Sequence, residues 1–264
     1  MARRSGERLV PSKGVENEYY DSLRPFADAM CRTVRSAVKR STMRYVRPRV
    51  LATWDASSKE LATAFAERVV SYSMYAFRRS VTDYRRQGVH IDVLRDPKAR
   101  REVARIVREN AKLIRSIPRL YLSKVNAAIL SYNEGNLTQS KFDERMDELE
   151  RQVFTRMRLI ARDQNDKATE AMLILRMDAN GLRLVKWCHT HLPEKKPRDY
   201  HLRRWDGHSG KRNGRPNGLN GYIFDISKPP VIDLETGERG YPAQLINCRC
   251  YLVPVFENDQ GVET

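Results

Sequence analysis

The sequence predicts an α+β protein: a mostly helical N-terminal region followed by a small C-terminal α+β unit with a short sheet. Three observations carry this. Apolar residues recur at spacings of three and four as far as Leu175. That periodicity stops at Asn180-Gly181, beyond which glycine and proline become frequent. Three short apolar runs of strand length then follow, at Leu182–Trp187, Tyr222–Ile226 and Tyr251–Phe256. The expected division is an arm at 1–15, a helical domain at 16–155, a C-terminal domain at 156–256 and a tail at 257–264.

Residues 1–15 scatter Gly6, Pro11 and Gly14 among charges and read as a flexible arm. A helix is expected over about 18–47, with Val34, Val38, Tyr45 and Val46 on its apolar face, interrupted by Pro48 and Ala52–Asp55. The next helix is expected to start at Ser57, because Ser57 and Glu60 have the spacing of a capping box. Leu61, Phe65, Val69, Tyr72 and Ala76 mark its face, and Gln87-Gly88 suits its end. Another helix starts after Asp96-Pro97, with Val103, Ile106, Val107, Ile114 and Ile117 as its stripe. Pro118 is expected to kink or end it, since proline removes an N–H and clashes with the preceding turn. Tyr121, Val125, Ala128, Ile129 and Tyr132 carry a helix on to the turn at 133–136. From Thr138 to Asp178 the apolar face runs through Phe142, Met146, Leu149, Val153, Met157 and Ile160, then shifts to Ala168, Ala171, Met172 and Leu175. A helix that long is unusual when the mean is about 12 residues. A bend or a break between 150 and 160 is expected. After Gly181, the long loop at 190–221 carries three Asn-Gly pairs, and loops of that length are functional or disordered.

Composition bounds the function. The chain has 264 residues, 41% of them hydrophobic, and 49 Lys and Arg against 33 acids give a net charge of +16. Such an excess favours polyanions: DNA, RNA or an acidic protein surface. The basic residues concentrate in 1–50 and in 183–215. Arg3, Arg4, Lys195, Lys196, Lys211, Arg212 and Arg215 are the candidate phosphate contacts, and a solvated face is the competing reading. No apolar run approaches the roughly 20 residues a membrane helix needs, so no membrane partner is expected. No signal peptide is recognisable at the N-terminus. The four cysteines, Cys31, Cys188, Cys248 and Cys250, are therefore expected in a reducing cytoplasm, free or metal-bound.

Two readings compete for the C-terminal chemistry. Cys188, His189, His191, His201, His208, Cys248 and Cys250 all lie in one small unit, a composition that suggests zinc. The spacing is poor for it, with no Cys-x-x-Cys pair. Cys248 and Cys250 stand at i, i+2 and share a face on a strand. Zinc would use them with His201 and a further ligand such as Cys188. The reading adopted is that both cysteines are buried packing residues and that no cofactor is held. A catalytic reading would make His201 a general base in Arg198-Asp199-Tyr200-His201, with Asn247 nearby, as in a His-Asn-His nuclease. The order of residues fails that motif, because a strand follows the last histidine. There is no Gly-rich phosphate loop, no Ser-His-Asp signature and no acid pair.

One pattern cuts across these readings. Ile160-Ala161-Arg162-Asp163-Gln164 is followed by Lys167, Arg176, Gly181, Trp187, Arg198, His201, Gly207, Pro229-Pro230, Gly240, Pro242 and the pentapeptide Ile246-Asn247-Cys248-Arg249-Cys250. This order resembles the phage Mu F-like head morphogenesis proteins, the minor head proteins of tailed phages, over roughly the last 110 residues. The pentapeptide is its most specific element. The sequence departs from the pattern in the insertion 193–197, in a longer loop after Gly207, and at Ala243, where a glycine often follows the proline. Some relatives in that family carry two cysteines where this chain has Arg198 and His201.

The resemblance implies a non-enzymatic structural protein, present in few copies in the head interior after assembly in the host cytoplasm. Its implied partners are the portal protein, the major capsid or scaffolding protein, and double-stranded DNA held without sequence preference, with a role in packaging or ejection. It implies structural roles for Arg162, Asp163, Gln164, Gly181, Trp187, Arg198, His201, Asn247, Cys248, Arg249 and Cys250. Arg198 and His201 would bridge the loop back to the Cys-Arg-Cys strand. The runner-up function is a zinc-dependent DNA-binding protein or a nuclease.

Overall fold

A computed structural model of the chain describes residues 10–80, 96–189, 198–206, 216–246 and 248–255. It is α+β, as expected: four long helices precede a small three-stranded antiparallel sheet. The helices are α1 (Lys13–Lys39), α2 (Met43–Ser80), α3 (Pro97–Asn133) and α4 (Gln139–Ala179). The sheet comprises β1 (Leu184–Cys188), β2 (Ile223–Asp225) and β3 (Tyr251–Pro254), with the single-turn α5 (Asp199–Leu202) between β1 and β2.

The chain divides into two compact units that are discontinuous in sequence, rather than split once near residue 156. One takes residues 13–68 and 103–164; the other takes 69–102 and the chain from 165 onward, with the segment before 13. In the first, helical unit, α1 buries Tyr19, Leu23, Ala27, Met30, Cys31 and Val34 at spacings of three and four. This face differs from the expected one. Val34 belongs to it, but Tyr45 is 56% exposed. Tyr19 stacks on Phe65 at 4.1 Å, and Trp54 meets Phe26 edge-on. The buried Asn110 is fully engaged: it donates to the Ile106 carbonyl at 2.8 Å and to Gln164 Oε1 at 3.3 Å, and accepts from the Tyr19 hydroxyl at 3.0 Å. Arg35 reaches both Asp147 and Glu150.

Several expected boundaries are corrected. Residues 13–15 are the first turn of α1, not arm, and Val15 is buried there; Met1–Leu9 lie outside the described residues. Helix α2 starts at Met43 and runs through Pro48 and the whole of 52–55. Ser57 is therefore mid-helix, and its neighbour Ser58 turns its hydroxyl back to the Asp55 carbonyl at 2.9 Å. Pro118 neither ends α3 nor divides it, and α4 is continuous across 150–160. The expected C-cap at Gly88 lies outside the described residues. The start of α3 is as expected: the Asp96 carboxylate accepts the Lys98 N–H at 2.8 Å, with Pro97 in the first helical position. Gly181 ends α4 with φ +70°, a left-handed conformation that glycine adopts at little cost.

In the second unit the sheet order is β2-β1-β3. Val185 pairs with Phe224 and Pro254, and Trp187 with Leu252. Strand alternation then decides the core. Val185, Trp187, Phe224 and Leu252 are buried with Phe77, Leu173, Met177, Ile226 and Ile232. Ile223 is 37% exposed because it neighbours buried Phe224 and faces the other way. Val253 is half-buried for the same reason.

Candidate functional site

Three motif residues meet inside the second unit: His201 from α5, and Cys248 and Cys250 from the segment entering β3. All three are buried. His201 Nδ1 lies 3.6 Å from Cys248 Sγ and 3.9 Å from Cys250 Sγ. On the other side of the ring, Nε2 lies 2.8 Å from the Ile232 carbonyl oxygen. A carbonyl only accepts, so Nε2 carries the proton and donates it. In the neutral ring, the Nδ1 lone pair then points at the two sulfurs.

The local sequence explains how these groups are held. Arg198 precedes α5, and its carbonyl accepts the His201 N–H at 2.9 Å. Its guanidinium donates to the Ile246 carbonyl at 3.4 Å, the expected reach back to the Cys-Arg-Cys segment. The loop after β2 folds on itself. Ile232 N–H donates to Glu238 at 2.7 Å, Gly240 N–H to Pro230 at 3.0 Å, and Arg239 to the Pro229 carbonyl at 3.1 Å. A Cβ at Gly240 would meet the movable end of Gln244 at 1.9 Å and Ile232 Cδ1 at 2.9 Å, so glycine fits this packed turn without rearrangement. These bonds fix the Ile232 carbonyl that orients His201. Cys248 N–H donates to Leu245 at 3.0 Å, completing the turn that delivers both sulfurs.

Trp187 forms one wall, its ring edge-on to His201 at 5.3 Å. Its indole N–H meets no nitrogen or oxygen acceptor; it faces the Cys250 sulfur instead and favours that thiolate. The hydrogen bond from Cys250, followed by His201, holds the Cys248 thiol below the ordinary range despite burial. The same shared bond, with burial, pushes Cys250 upward. On α4, Glu170 is 3% exposed, and its Oε1 has no hydrogen-bond partner. Burial first, then the neighbouring Cys248 and Asp166, raises its carboxyl well above the usual range. Arg249 turns away from the sulfurs and pairs with Asp166 at 3.4 Å.

Not every motif residue joins this cluster. Arg162, Asp163 and Gln164 belong to the helical unit, where Gln164 is bonded to Asn110 and Asp163. Gly181 is the helix terminus. Arg176 is 1% exposed and donates to the Val70 carbonyl at 3.2 Å and to Ser73. Asn247 lies outside the described residues, as do Arg3, Arg4, Lys195, Lys196, Lys211, Arg212 and Arg215, the candidate phosphate contacts. Cys188 is half-buried on β1 and is not part of the His201 cluster. The site residues that sequence reasoning missed are Asp166, Glu170 and the Ile232 carbonyl. Two acids at i, i+4 on α4, one turn apart, were the available signal for the first two. Among the described residues, no helix is long and apolar enough to cross a membrane.

No family model matches the chain, and no solved structure matches it. Over 166 residues the chain is 24% identical to an uncharacterized protein of Haemophilus influenzae strain Rd, an alignment covering 63% of this chain and 32% of that protein. The chain thus spans about a third of the length of that curated relative.

Proposed function

We propose that this chain is a structural, non-enzymatic minor head protein of a tailed phage, acting with the portal inside the head during procapsid assembly. The sequence resemblance to the Mu F-like proteins motivates the reading. The observation that carries it is the burial of the motif: Trp187 is 0% exposed, His201 2%, Cys250 5% and Cys248 6%. Groups enclosed in this way hold a fold together and meet no macromolecular substrate. An active site for nucleic acid needs its base within hydrogen-bond reach of the reacting group. The partner surfaces are then the protein's charged exterior, whose +16 net charge suits an acidic portal or capsid face, or packaged DNA.

The test is co-sedimentation of the purified chain with assembled portal rings of the same phage, alongside plasmid incubation with magnesium or manganese. Retention on the portal without plasmid cleavage is expected. Cleavage that disappears in a His201→Ala variant would overturn the reading in favour of a nuclease.

A further inference from the structure

We propose that His201, Cys248 and Cys250 bind a zinc ion that staples α5, the 226–246 loop and β3 into one unit. Among the described residues these three form the one group of potential ligands whose donor atoms lie within 4.8 Å of one another. Their spacing is that of a tetrahedral zinc shell. With Zn–S of about 2.3 Å and Zn–N of about 2.0–2.1 Å, tetrahedral geometry sets S···N near ~3.5 Å. The observed separations are 3.6 and 3.9 Å.

The surroundings are those of a metal ligand set. The His201 ring presents the unprotonated Nδ1 to the sulfurs because Nε2 donates to the Ile232 carbonyl, the outer contact that orients metal-bound histidines. The Trp187 indole N–H faces Cys250 and has no other acceptor, an arrangement that suits a thiolate. Glu170 falls outside the group whose donor atoms lie within 4.8 Å of one another, so it would act on the open fourth position through a water. It is buried, its Oε1 is unpartnered, and it interacts electrostatically with both cysteines. The expectation from the sequence, that the two cysteines only pack, leaves Glu170 Oε1 without a hydrogen-bond partner. On binding, each coordinating thiol releases its proton to solvent, and no redox change is involved.

The zinc inference stands independently of the head-assembly reading. The full chain, purified without added metal, is expected to carry one zinc per molecule by plasma mass spectrometry. Cys248→Ser and Cys250→Ser are expected to lose it, while Cys31→Ala keeps it. Glu170→Gln is expected to weaken zinc affinity by about tenfold or more. Should the cysteine variants fail to fold, the parent decides alone: cobalt added after chelation is expected to give thiolate-to-cobalt charge-transfer absorption. Parent protein that carries no zinc, and takes up neither zinc nor cobalt, would overturn the proposal. Full zinc retention in folded Cys248→Ser would overturn it equally.

Discussion

Ala243 shows how much a single residue records. It sits at φ +63°, in the left-handed region, at the position where the resembled pattern often has glycine. A Cβ in that region costs roughly 1–2 kcal/mol, part of which burial of the methyl group returns. Ala243→Gly is therefore expected to stabilise the protein by up to about 1 kcal/mol in urea unfolding. Cys31 gives a second residue-scale prediction. Burial first, then Glu150, pushes its thiol from 9.0 to about 12. The folded value is raised, so the protonated thiol contributes stability that is complete below pH 9 and is lost as pH rises through about 12. Native protein at pH 8 should leave Cys31 unmodified by a thiol reagent, and Cys31→Ala should lose less stability than the parent between pH 9 and pH 12. The burial of Trp187, Cys248 and Cys250 was legible in the sequence because apolar strand residues surround them. The contact of His201 with Ile232 was not. It joins residues 31 apart across a loop whose closure depends on backbone hydrogen bonds that no residue pattern announces.

At the scale of elements, periodicity located all four helices but misplaced their ends. The Ser57–Glu60 spacing has the form of a helix start, yet Val50 and Trp54 on the preceding turns are buried and hold α2 continuous. Tertiary packing overrides the local cap signal there. Pro48 and Pro118 likewise sit inside helices, where packing of the long apolar faces outweighs a missing hydrogen bond. The bend or break expected in α4 followed from its length, yet the helix is continuous from Gln139 to Ala179. Its apolar face shifts where residues 164–166 and 168–170 are buried nearly all round. At the start of α3 the cap signal coincides with a true terminus, and Asp96 caps the helix through the Lys98 N–H. Asp96→Ala should cost about 1 kcal/mol in denaturant unfolding, and Asp96→Asn much less.

At the scale of the whole molecule, the fold class was legible because helical periodicity and short strands occupy separate stretches of the chain. The unit boundaries were less so, since α2, α3 and α4 each contribute residues to both units. The net charge makes its own prediction. If the basic segments contact packaged DNA, replacing Lys211, Arg212 and Arg215 by glutamine should weaken binding alike on two unrelated duplexes. It should also flatten the salt dependence by up to about 0.9 for each phosphate that is no longer neutralised. If they dock on an acidic portal or capsid face, the same variant should bind DNA as the parent does but fail to enter heads. The most direct test of the head-protein reading is quantitation of this chain in purified procapsids assembled with and without the portal protein. Low-copy incorporation that disappears when the portal is omitted is the predicted result. Procapsids that contain the portal but none of this chain, with all of it free in the lysate, would contradict the account.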